Sequence, residues 1–78
     1  MNYKKQTHNI NDAYEKYADM LYHLSLSHMQ NQEDAADVVQ EVFCKYYSKP
    51  PQFTDSTHEK AWFIRVTINA MISFAIAT

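Results

Sequence analysis

Residues 31–51, NQEDAADVVQEVFCKYYSKPP, decide the fold. Asn31 is a favourable helix N-cap, and Glu33 and Asp34 fall in the first turn, where the positive end of the helix dipole favours acids. At about 100° per residue the run separates into two faces. Ala35, Val38, Val39, Val42, Phe43 and Tyr46 form the apolar side, and Glu33, Asp34, Asp37, Gln40, Glu41 and Cys44 form the other. Lys45 and Lys49 suit the C-terminal end, and Pro50-Pro51 stops the helix. The spacing predicts an amphipathic helix over about residues 32–48.

Two further helices flank it. Upstream, Asn11 or Asp12 offers a cap. From there Tyr14, Tyr17, Ala18, Leu21, Leu24, Ser25 and His28 share a face, opposite Glu15, Lys16 and Asp19, to about residue 29. Downstream, the linker 50–57 is polar apart from Phe53, and Ser56 with Glu59 reads as a capping box. The third helix, about 57–76, sets His58, Trp62, Arg65, Asn69 and Ser73 in one stripe. Phe63, Val66, Ala70 and Phe74 lie on its other side, and past Asn69 it is apolar nearly all round. An all-α, three-helix bundle forming a single domain over residues 1–78 is expected.

Composition supports this class. The 78-residue chain contains no glycine, which excludes phosphate-cradling and dinucleotide-binding loops and the EF-hand. It also removes the residue that tight β-hairpin turns favour most. A domain this short buries only about 60% of its unfolded surface, so its stability margin is small. Seven basic against nine acidic residues give a net charge of −2, so the chain is no polycation. A single cysteine excludes an internal disulfide and a Cys-rich zinc site. The first ten residues lack the apolar core of a signal peptide, so a cytoplasmic protein is expected. Residues 61–78 are apolar enough to raise membrane association, but Arg65 and Asn69 interrupt them.

Enzyme chemistry finds no support. His23 and His28 are five apart, not the three or four that place two metal ligands on one helical face. His28 reads as a packed or partly exposed histidine at the core edge. Cys44 stands among acids, which disfavour the thiolate, so an inert thiol is expected. No carboxylate pair stands out as an acid–base couple. No catalytic residue, metal or cofactor is expected.

Two surfaces remain. Between Asn31 and Cys44 there are four acids and no base. That pattern reads either as a solvated helix face or as a docking face for a basic protein surface. Phe53, Thr54, Asp55, Ser56, Thr57 and His58 then lead into Lys60, Trp62, Arg65 and Asn69. Aromatic and guanidinium planes stack on unpaired bases, and short polar side chains read base edges. Lys49, Lys60 and Arg65 are few for duplex phosphates, so a single strand suits the mixture better. The alternative is that Trp62 packs in the core while Arg65 and Asn69 are plain surface.

These residues resemble a known family. Asp34-Ala35-Ala36-Asp37-Val38-Val39-Gln40-Glu41-Val42-Phe43 is similar to the second conserved segment of bacterial RNA polymerase sigma factors, the extracytoplasmic-function (ECF) type above all. Ala61-Trp62-Phe63-Ile64-Arg65-Val66-Thr67-Ile68-Asn69-Ala70 resembles that family's next signature, and the resemblance covers about residues 11–70. It implies a region-2 domain, non-enzymatic, that binds the polymerase core and recognises and melts the promoter minus-10 element. Asp34, Asp37, Gln40 and Glu41 would then dock on the clamp helices of the largest polymerase subunit. Phe53 to His58, Lys60, Trp62, Arg65 and Asn69 would take the non-template strand of the minus-10 DNA and a flipped base. An anti-sigma protein is a further partner the family brings.

The chain departs from the family pattern at Ser73, where an Asp is expected, and at Ile76, where an Arg is expected. On the resemblance, residues 71–78 fall outside the family and the minus-35-reading C-terminal domain is absent. The alternative function is a small helical interaction domain that never touches DNA, a truncated sigma remnant, with a homodimer sealed by the apolar tail.

Overall fold

The computed structural model describes residues 3–77, and the surroundings of side chains 12–76. Met1, Asn2 and Thr78, which the expected domain span includes, lie outside the described residues. Three helices follow one another: α1 (Tyr3–Met29), α2 (Gln32–Ser48) and α3 (Ser56–Ala77), each packed on the other two. No strand occurs among the described residues.

The start of α1 differs from the sequence expectation. It lies at Tyr3, ahead of Asn11 and Asp12, because nothing between Tyr3 and Asn11 is a glycine or proline that would break the helix. α1 ends on Gln30, whose φ of 56° is left-handed. Its N–H donates to the Leu26 carbonyl at 2.8 Å. That position usually falls to glycine, and here a residue with a Cβ carries the strain. α2 begins as the sequence predicts: the Asn31 side chain accepts the Asp34 N–H at 2.9 Å. Its C-cap, Lys49, returns its N–H to the Lys45 carbonyl just before the prolines.

All six residues assigned to the apolar side of α2 are buried. They meet Ala13, Tyr17 and Leu21 from α1 and Phe63, Ala70 and Met71 from α3. Phe63 is the centre of this core, with no exposed surface. Tyr17 stacks on it at 4.6 Å, and Phe43 and Tyr46 lie at 5.3 and 5.2 Å. Aromatic rings supply much area per residue, which is how a short chain builds a sufficient core.

The buried stripe of α1 is Ala13, Tyr17, Leu21 and Ser25, so Tyr14 and His28 are corrections. Tyr14 is half exposed and leans its ring on Phe43 at 5.0 Å, while His28 is exposed. On α3 the expected Phe63 and Ala70 are buried, but Thr67 and Met71 join them, and Val66 and Phe74 are only half-buried. The apolar surplus past Asn69 therefore has two parts. Ala70, Met71 and Phe74 pack inward, whereas Ile68, Ile72 and Ile76 face outward one turn apart. The Ser25 and Thr67 hydroxyls are both buried without a hydrogen-bond partner among the described residues.

Candidate functional site

The linker into α3 is organised by its own polar groups. The N-cap of α3 is Asp55, one residue ahead of the Ser56 expected. Asp55 Oδ1 accepts the His58 N–H at 2.8 Å, and the Asp55 carbonyl accepts the Glu59 N–H at 3.1 Å. His58 Nδ1 in turn accepts the Thr54 N–H at 3.3 Å, with the Thr54 hydroxyl 3.4 Å away. Three of the six loop residues proposed to meet a base thus also hold the loop in place.

Glu59 is not the second half of a capping box. It accepts the Tyr17 hydroxyl at 2.9 Å and stands 3.7 Å from the Lys16 ammonium, tying α3 to α1. Burial, and then the hydrogen bond to Glu59, push the Tyr17 phenol up to about 12. Tyr46 is raised by the same cause, burial first and the Glu59 charge second.

Above the cap sits an aromatic cluster. Phe53 is half-buried and meets His58 edge-on at 5.4 Å and Trp62 at 6.0 Å. Trp62 also meets Phe63 and Tyr46, at 4.9 and 6.0 Å, and as a half-buried residue leaves part of its surface open. Trp62 therefore packs against the core and also presents part of its surface to solvent. Ser56, Thr57, Lys60, Arg65 and Asn69 are exposed, and Lys60 and Arg65 have no ion pair among the described residues.

The outward side of α2 forms a ridge between two grooves. Toward α1, Gln40 and Cys44 face Tyr14, Glu15, Asp19 and Tyr22, with Tyr47 at one end. Toward α3, Asp37, Gln40, Glu41 and Cys44 face Ala70, Ser73 and Phe74. Asp37, Gln40 and Glu41 are exposed and Asp34 is half-buried. The ridge is not wholly uncompensated, since Lys45 lies 3.9 Å from Glu41. Glu33, Asp34 and Asp37 keep no ion pair among the described residues. Glu15 and Asp19 extend the acidic surface onto α1. Sequence reading put them on the polar side of α1 without linking them to α2, because no local spacing relates two helices.

A third groove joins the two surfaces. Glu41, Cys44, Lys45, Ser48 and Lys49 from the end of α2 line it together with Pro50, Pro51 and Trp62. Among the described residues no cluster of His, Cys, Asp or Glu is placed to hold a metal ion. His23 lies 4.0 Å from Asp19, and His28 turns its Nδ1 to the Leu24 carbonyl. No described helix is long and apolar enough to cross a membrane.

The family model of sigma-70 region 2 matches residues 13–75. The chain belongs to the sigma-70 region 2 family. The match runs past Ala70 to Ala75, so most of the apolar tail falls within the region-2 pattern, contrary to the expectation that residues 71–78 lie outside it. A search of curated proteins and a search of solved structures each return no match. As a sigma region-2 domain the chain is non-enzymatic, with a role in RNA polymerase binding and promoter recognition during transcription initiation.

Proposed function

We propose that this region-2 domain is of the extracytoplasmic-function type and uses two separate surfaces in the cytoplasm. Asp34, Asp37, Gln40 and Glu41 on the ridge of α2 dock on the clamp helices of the largest polymerase subunit. Phe53 to His58, with Lys60, Trp62, Arg65 and Asn69, take the unpaired non-template strand of the minus-10 element and hold a flipped base. The observation that carries this reading is the segregation of charge and aromatic surface. Glu33, Asp34 and Asp37 on α2, and Lys60 and Arg65 on the helix that carries Trp62, keep no ion pair among the described residues. Acids in register on a rigid helix steer a basic partner and repel DNA. A part-open indole beside short polar groups suits an unstacked base.

Pull-down on immobilised clamp helices tests the first surface: Asp37→Arg and Gln40→Ala are expected to weaken binding. Retention of both variants at parent levels refutes the assignment. For the second surface, an oligonucleotide enriched from a randomised single-stranded pool is titrated against the chain. Trp62→Ala and Asn69→Ala are expected to lose the preference for it over its scrambled counterpart, and unchanged preference refutes base reading.

A second reading rests on Ile68, Ile72 and Ile76, which are 41, 54 and 78% exposed in one row. Such a row favours a protein contact, a second copy included. Sedimentation of the parent beside Ile72→Lys distinguishes a homodimer from a monomer.

A further inference from the structure

The groove at the end of α2 lies between the two surfaces above and shares Glu41 with one and Trp62 with the other. Its lining is unlike the acidic ridge beside it. Lys45 and Lys49 are exposed one turn apart, Ser48 lies between them, Pro50 and Pro51 supply an apolar side, and the open part of Trp62 forms the opposite wall. A positively charged groove beside an aromatic face is what a single nucleic-acid strand requires: cations for phosphates, and a flat apolar surface for a base. Among the described residues that line the groove the sole acid is Glu41, 3.9 Å from Lys45. Lys49 has no ion pair among the described residues. Trp62 belongs both to this groove and to the α3 stripe with Arg65 and Asn69. A strand whose base meets that stripe therefore has a continuous path across Trp62 onto the end of α2.

We propose that this groove carries the backbone of the bound single strand, with Lys45 and Lys49 contacting phosphates and Trp62 with Pro51 bounding the adjacent nucleotide. The inference rests on the DNA reading of α3 and adds a sequence-independent arm to it. It also answers the shortage of cations in the sequence, since Lys45 joins Lys49 beside Trp62, three residues before Arg65 on α3. Glu41 then has a second effect, holding Lys45 partly neutralised when no strand is present.

Salt dependence supplies the test, because each single-strand phosphate contact contributes about −0.7 to the slope of log K against log[salt]. The full chain is titrated with the enriched oligonucleotide and with its scrambled counterpart by fluorescence anisotropy over a range of salt. Lys45→Ala and Lys49→Ala are each expected to weaken both oligonucleotides equally, by about two- to fivefold at low salt. Each is expected to flatten the slope by about 0.7, and the double variant by about 1.4. Glu41→Gln is expected to tighten both, because it releases Lys45. Thermal melting controls for folding, which these exposed substitutions leave unchanged. Parent-like affinity and slope in the double variant overturn the groove and leave the α3 reading intact. No binding of either oligonucleotide by the parent chain overturns both.

Discussion

Tyr17→Phe isolates one hydrogen bond between the first and third helices. The ring is 4% exposed and stacked on Phe63, and phenylalanine preserves that packing, so only the hydroxyl bonded to Glu59 at 2.9 Å is lost. A hydrogen bond to a charged partner contributes about 1.5–3 kcal/mol. Glu59 retains Lys16 at 3.7 Å and some exposure to water, which places the loss near the lower end, about 1.5 kcal/mol at neutral pH. The pH dependence follows from the phenol, whose folded value of about 12 exceeds the ordinary 10. The native state keeps the proton more tightly than the unfolded chain does. The stabilisation is thus complete below about pH 10 and lost as pH rises toward 12, at about 1.4 kcal/mol per pH unit. Phenylalanine has no such titration. Urea melts followed by circular dichroism are therefore expected to show the parent about 1.5 kcal/mol more stable from pH 7 to 9, with the two curves meeting near pH 11. A Glu59→Gln partner completes the double-mutant cycle. A gap between parent and variant that stays constant from neutral pH to pH 11 would refute the reasoning. So would a variant as stable as the parent at pH 7.

Four other substitutions test the local structure. Thr67→Val replaces a buried hydroxyl that has no partner among the described residues with a methyl group of the same shape, and is expected to raise stability by about 1 kcal/mol in the same melts. Asp55→Ala is expected to cost about 1 kcal/mol by removing the α3 cap, while Ser56→Ala stays within about 0.5 kcal/mol. Equal losses at the two positions would return the cap to Ser56. Gln30→Gly relieves the left-handed backbone at the end of α1 and is expected to stabilise by about 1 kcal/mol, with the melting midpoint as the readout.

How far the residues could be read differs from helix to helix. α2 was legible in full: its cap, its end at the prolines and all six buried side chains follow from spacing. Such a helix has one apolar face and one polar face, so periodicity alone assigns both. α3 is apolar almost all round, and periodicity then cannot choose a buried side. Thr67 and Met71 went inward and Ile68, Ile72 and Ile76 outward because of where α1 and α2 lie. The caps show the same division. Asn31 had no competitor, whereas Thr54, Asp55, Ser56 and Thr57 offered four capping side chains in a row. The choice of Asp55 accompanies the turn of His58 toward Thr54 and the capture of Glu59 by Tyr17, 42 residues away in sequence.

The candidate surfaces divide likewise. The acids of α2 and the Trp62, Arg65, Asn69 stripe each lie on one helix, so helical spacing placed them together. Glu15 and Asp19 beside the α2 ridge, and Lys45 and Lys49 beside Trp62, meet across different elements. The sequence by itself determined the helical class, the middle helix and the family pattern, because these depend on neighbours within a few turns. Only the tertiary structure decided which side of α3 is buried, which acid caps it and which grooves open between helices. Those outcomes depend on packing between residues that the chain keeps far apart.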